Sequence, residues 1–272
     1  MLLSNKTATC LLAFCFIFTP PVFAKGNNLS LRVAVAPLIY NSGLFSLLIP
    51  PFERKNKLTV DVVAVNTESA FKLAEKGDLD IVLVGDSKLE MSFLGKGFGA
   101  DHRQFASSYY MIIGPPSDPA KIKGEKTAKY AFYKISEKKA LFVSRGDGSE
   151  IDQREKMLWE GAYVDKKVGW YLETGKGMDE TVMIADEKRG YTLCDKLTYA
   201  AMKDMVRLEV LINEKDPYLK DSYNIIAVNP RRYPQVKYGA ALMLIEYLMS
   251  KEAQDIVNNF TINGVQLFYP GE

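Results

Sequence analysis

Hydrophobic and polar positions along the chain alternate between two periods. LRVAVA, residues 31 to 36, is a short apolar run that predicts a strand, PLIYNSG after it predicts a turn, and LFSLLIPPFERKN predicts a helix. Pro50 and Pro51 fall inside that helix and are expected to bend or interrupt it. KLTVDVVAV predicts the next strand, TESAFKLAEKG a capped helix ending at Gly77, and DLDIVLVGD a third, buried strand. Together they predict a parallel βαβαβ start.

The same order returns after Gly114. KYAFYKISEKK reads as a helix, ALFVSR as a strand, GSEIDQREKMLWEGA as a helix, and GWYLET as a strand leading into a helix that begins near Met178. Between these halves SSYYMIIGPPSDPA is extended and then proline-rich, and SYNIIAVNP is extended and closed by proline. These two segments read as strands crossing between two lobes. The last segment, YPQVKYGAALMLIEYLMSKEAQDIVNNF, has a helical pattern and is expected to pack back on the first lobe. The expected fold class is α/β, with two lobes, each a sheet flanked by helices, and two crossing strands as the hinge. Residues 25–112 and 224–272 form lobe 1 in this reading, and 113–223 form lobe 2.

Residues 1 to 24, MLLSNKTATCLLAFCFIFTPPVFA, change the picture of where the chain works. Lys6, an apolar run from about Ala8 to Phe18 and the Pro20-Pro21 break read as a cleaved signal peptide, which implies export to the periplasm. The apolar run falls short of the roughly 20 residues that span a bilayer. Cys10 and Cys15 lie in this segment, so Cys194 is left without a partner for an intrachain disulfide. A lipid-modified Cys15 is the less favoured alternative, because Phe14 is bulky where a small residue is wanted. Of 272 residues, 35 are Lys or Arg and 33 Asp or Glu, for a net charge of +2. That balance makes no case for nucleic acid as a partner, so any anion binding has to be local.

Four strand-to-helix turns are candidates for such a site: Tyr40-Asn41-Ser42-Gly43, Gly85-Asp86-Ser87, Ser144 through Ser149, and Gly175-Lys176-Gly177-Met178. Each offers unpaired backbone N–H groups at a helix start, which favour an anion. SRGDGS at 144–149 is the strongest, since Arg145 brings a permanent forked charge and Ser144 and Ser149 bring hydroxyls. The competing reading is structural: Ser149 caps the next helix, Asp147 supports the same helix start, and Arg145 pairs with a nearby acid. Asp147 would also repel a fully ionised anion, unless it accepts a hydrogen bond from a protonated ligand. Capping competes with binding at Asn41, Ser42, Gly177 and Met178 as well, and is the favoured reading at Asp86 and Ser87.

Catalytic chemistry is harder to assemble. His102 is the single histidine and no serine or cysteine stands in a nucleophile motif, so neither an enzyme nor a cofactor is expected. Paired cysteines or spaced His and Glu that would hold a transition metal are missing too.

Nearly the whole chain after residue 24 resembles the periplasmic tungstate-binding proteins of ABC importers. The resemblance runs through YNSGLFSLLIPPFE, AVNTESAFKLAEKGDLDIVLV, FVSRGDGS, WYLETGKGM, IADEKRGYTLCDKLTYAAMKD and IIAVNP, in order and in register. It implies the two-lobed solute-binding architecture of type II and a tetrahedral oxyanion held by a threonine-rich turn after the first strand and by a Ser-Arg-Gly-Asp turn in the second lobe. The second turn is present as Ser144-Arg145-Gly146-Asp147, with Ser149. At the first, Val35, Ala36, Pro37 and Leu38 replace every hydroxyl, and Pro37 removes a backbone donor. Glu150 and Ile151 stand where the family has Gly and Thr. Each donor lost to a buried charged acceptor costs about 1 to 3 kcal/mol.

The expected function is therefore capture of a small anion, tungstate or molybdate first, by a monomeric binding protein that delivers it to a membrane permease. Two alternatives follow from the stripped first turn: a partly apolar or organic-acid ligand, or a ligand-sensing module no longer tied to an importer.

Overall fold

The computed structural model describes residues 29–85, 87–164, 168–213 and 216–271. The expected signal peptide and Asp86 lie outside the described residues.

The first lobe begins as the pattern predicts. Strands β1 (Ser30–Val35), β2 (Thr59–Ala64) and β3 (Ile81–Val84) are joined by helices α1 (Pro37–Ser42), α2 (Leu44–Asn56) and α3 (Thr67–Ala74), and α4 (Ser87–Gly95) follows β3. β1 pairs in parallel with β2 on one side and β3 on the other. All four residues of β3 are buried, as a strand covered on both faces requires.

One expectation here is corrected and one is narrowed. PLIYNSG is a helix, not a turn: Pro37 sits at its first position, Ile39 is buried, and Gly43 at φ +84 closes it and starts α2. α2 also runs through Pro50 and Pro51 as one element. Those prolines deprive the carbonyls of Ser46 and Leu47 of their helical partners, and both residues are exposed, so the lost bonds fall on the solvent side of the helix rather than in the core.

β4 (Gly99–Gly114) then carries the chain from one lobe to the other. In the second lobe follow α5 (Ala128–Lys138), β5 (Phe142–Ser144), α6 (Glu150–Gly161), β6 (Tyr171–Glu173), α7 (Met178–Lys188), β7 (Thr192–Asp195), α8 (Lys196–Met202) and β8 (Glu209–Ile212). β9 (Lys220–Val228) returns to the first lobe, where α9 (Tyr238–Leu248), α10 (Lys251–Asn258) and the short strands β10 (Thr261–Ile262), β11 (Val265–Gln266) and β12 (Tyr269–Pro270) close the chain.

The change of lobe is visible in the register. From Gly99 to Tyr109, β4 pairs with β9, which pairs in turn with β3. From Tyr110 onward β4 pairs with β7 instead, and with β8 from Ile112. The two crossing strands expected from SSYYMIIG and SYNIIAV are thus β4 and β9, side by side.

Each lobe has its own core. In the second, Trp159 of α6 packs on Phe132 and Phe142 with ring centroids 4.3 and 5.1 Å away. Leu31, Val33, Ile39, Leu48 and Phe52 of the first lobe pack with Leu244, Leu248 and Val257 of α9 and α10. The C-terminal helices do return to lobe 1. Burying each such side chain is worth about 1.5 to 3 kcal/mol, which holds the lobes as bodies on either side of the crossing strands.

Candidate functional site

Where the strands cross, the lobes leave a cleft of about 400 Å³. Its first wall is Ala36, Pro37 and Leu38, with Asn41 and Asn66 beside them. These residues follow the ends of β1 and β2, the edge at which α/β sheets hold ligands. Arg145, Ser149, Glu150 and Ile151 of the second lobe face them, joined by Met178, Asp195, Leu197 and Thr198. Tyr110 of β4 and Tyr223 of β9 complete the lining at the crossing point.

The SRGDGS turn closes on itself. Asp147 accepts from the Arg145 guanidinium through Oδ2, and through Oδ1 from the Ser149 N–H (3.1 Å) and hydroxyl (2.6 Å). Burial pushes the Asp147 carboxyl up, but the Ser149 hydroxyl and N–H and the Arg145 guanidinium together hold it below the usual carboxylate range. The turn therefore holds an Arg⁺–Asp⁻ pair, of which Arg145 lines the cleft and Asp147 does not. Ser149 caps α6, its hydroxyl accepting from the Asp152 N–H at 3.5 Å, and it lines the cleft as well. Ser149 is thus a cap, as the structural reading expected, and it also lies on the cleft lining.

The turn is held in place from below. The Arg145 carbonyl accepts the Gly175 N–H at 2.7 Å, and the Ser144 carbonyl accepts the Thr174 N–H at 2.9 Å. Gly146, at φ +60, admits this approach: a Cβ there would meet Glu173 Cβ at 2.8 Å. Ser144 itself is fully buried and does not line the cleft.

The other candidate turns divide. Asn41 and Met178 line the cleft, whereas Tyr40, Ser42 and Gly177 do not. Because PLIYNSG is helical, Tyr40 projects into solvent with 48% exposure, and the buried Ser42 hydroxyl donates to the Ile39 carbonyl at 2.8 Å. Gly177 is the N-cap of α7. Gly85 packs against the Ser222 carbonyl of β9, which leaves no room for a side chain.

Sequence reasoning missed Asn66, Asp195, Tyr110 and Tyr223. Asn66 caps α3 by accepting the Ser69 N–H at 2.9 Å, and Asp195 caps α8 through the Thr198 N–H and hydroxyl, both at 2.8 Å. Their signals were the N-cap patterns NTES and DKLT, legible as helix starts but not as cleft residues. Beneath the floor lies Asp221, which accepts from the Tyr223 hydroxyl at 2.6 Å and the Tyr110 hydroxyl at 3.4 Å. Burial drives its carboxyl up to about 6.

Cys194 is fully buried, and burial pushes its thiol well above the usual range, so it offers no reactive thiolate. Among the described residues no group of three or more His, Cys, Asp or Glu could hold a metal ion. Nor is any helix among them long and apolar enough to cross a membrane.

Two α/β lobes, a pair of crossing strands and a cleft lined from both sides define a two-lobed solute-binding protein. The chain belongs to the PBP superfamily, whose domain matches residues 26–252, and within it to the family that includes the tungstate-binding proteins. It is 37% identical over 249 residues to a putative ABC transporter anion-binding protein of Haloferax volcanii, covering 90% of this chain and 73% of that one. It is also similar to the tungstate-binding protein of Desulfovibrio alaskensis, with 36% identity, a TM-score of 0.84, and 90% of this chain and 100% of that one covered. A tungstate ABC transporter structure from Geobacter sulfurreducens matches at 41% identity and a TM-score of 0.72, over 85% of this chain and 98% of that one.

Proposed function

We propose that this protein is the periplasmic anion-capturing component of an ABC importer, closing its lobes on a tetrahedral oxyanion, tungstate or molybdate first, and delivering it to a membrane permease. The observation that carries this reading is the Arg145–Ser149 turn, set at the start of α6 and facing the opposite lobe across the cleft. A helix start and a guanidinium together favour negative charge there. The relatives named for anion and tungstate binding support the same class of ligand. In this reading Arg145 and Ser149 contact the anion and Asp147 orients Arg145. Met178 and Asn41 border the anion, and residues 1–24 are removed on export.

One observation favours a second ligand class. Ala36, Pro37, Leu38, Ile151, Met178 and Leu197 make both walls partly apolar, and the cleft is roomier than four oxygens around one atom need. A carboxylate with a small apolar body would use that surface.

A thermal-shift panel separates the two readings. Ligand present at 100 times its Kd stabilises a protein by about 2.7 kcal/mol. Tungstate or molybdate should therefore raise the melting midpoint where sulfate and phosphate raise it less. Stabilisation by organic acids alone would transfer the function to the second class, and silence from every anion at millimolar concentration would refute both.

A further inference from the structure

One hydrogen bond joins the walls of the cleft directly. The Thr67 hydroxyl, on the first residue of α3 in the first lobe, donates to Glu150 Oε1 at 2.8 Å. Glu150 is the first residue of α6 in the second lobe, immediately after the Ser149 cap. A carboxylate of the chain therefore sits where two helix starts, one from each lobe, face each other, and that is where backbone dipoles favour negative charge. Thr67 is buried, with 2% exposure, so its hydroxyl has this carboxylate in place of water. The charge of Glu150 is also felt at the floor. The Tyr110 and Tyr223 phenols are pushed up chiefly by burial, then by Asp221, with Glu150 adding to both. Around the cleft, Arg145 is already matched by Asp147, and Asp195 contributes a second carboxylate to the lining.

This inference rests on the anion-binding reading above. We propose that Glu150 is the charge-discriminating residue of the cleft: its carboxylate occupies the anion position between the helix starts of α3 and α6, so a doubly charged oxyanion has to displace it. A displaced Glu150 stays on the wall as a like charge beside the incoming dianion, and Thr67 exchanges one acceptor for another. The cleft consequently binds dianions more weakly than its arginine and two helix starts would allow. Glu150→Gln keeps the shape and an acceptor for Thr67 and removes only the charge.

The test is calorimetric titration of the protein lacking residues 1–24, as wild type, Glu150→Gln and Thr67→Val, with tungstate and with sulfate. Glu150→Gln is expected to bind both dianions ~10-fold or more tighter than wild type, the scale of one relieved like-charge contact in a partly buried site. Thr67→Val keeps the carboxylate and loses only the hydrogen bond between lobes, so its gain should be clearly smaller. Equal gains in the two variants would assign the effect to the latch between lobes and overturn the proposal. Wild-type binding with Glu150→Gln no tighter would overturn it while leaving the anion reading intact. No heat from any of the three proteins would overturn both.

Discussion

Asp221 offers the sharpest energetic prediction, because its environment fixes both a sign and a size. It lies on β9 opposite Ser108 of β4, at the crossing of the strands. The carboxyl is 3.9 Å from the Arg154 guanidinium and takes hydrogen bonds from Tyr223 and Tyr110. Burial raises its pKa to about 6 from the ordinary 3.8; the Tyr223 hydroxyl, Arg154 and the Tyr110 hydroxyl pull it down only in part, and Glu150 adds to the rise. The folded protein therefore holds this proton more tightly than the unfolded chain does. The resulting stabilisation is complete below about pH 3.8 and is lost as the pH rises through 6.

At ~1.4 kcal/mol per pH unit, that interval is worth about 3 kcal/mol. Asp221→Asn keeps the shape and an acceptor for the tyrosine hydroxyls but carries no charge. At about pH 7.5 it should be more stable than wild type by up to ~3 kcal/mol, or on the order of 5 to 10 °C in melting midpoint. Near pH 4 the difference should vanish. Urea denaturation of both proteins across this range measures it. A difference that does not change with pH, or an asparagine variant that is the less stable at neutral pH, would refute the reasoning.

Two further predictions concern the SRGDGS turn. Gly146→Ala forces a side chain onto a backbone at φ +60 and a Cβ to 2.8 Å from Glu173 Cβ, so it should cost about 1 to 3 kcal/mol in urea unfolding and weaken anion binding with it. A variant as stable as wild type would show that the turn tolerates the shift. Arg145→Ala removes a charged donor from the cleft lining and leaves Asp147 behind it without its cation, so anion affinity should fall about 10- to 100-fold by calorimetry, and an unchanged affinity would place the arginine outside the site.

The alternation of apolar strands with 3.6-period helices made the two-lobed α/β fold legible, because β3 and β5 are buried runs and β1 is buried but for Ser30 and Arg32. PLIYNSG was misread because tyrosine, asparagine, serine and glycine are turn residues by composition. Pro37 at the first position and the buried Ile39 decide for a helix, and only packing against the sheet reveals that. The prolines of α2 were expected to bend or interrupt it, and that it continues could not be foreseen, since the exposure of Ser46 and Leu47 cannot be read from their identity. Half of the cleft was legible for a related reason: Arg145 and Ser149 belong to a dense local motif. Asn66, Asp195, Tyr110 and Tyr223 come from four separate segments that meet only through the parallel order β2-β1-β3 and the change of partner along β4. Ser149 shows the contacts of the capping reading in full, because a cap hydroxyl has lone pairs for the helix and a proton for Asp147, and its place on the cleft lining could not be read from the motif.

Calorimetric titration of the protein lacking residues 1–24 with tungstate bears most directly on anion capture in the cleft. One saturable site per chain and protection against thermal unfolding are expected. No heat and no protection at millimolar tungstate would contradict anion capture.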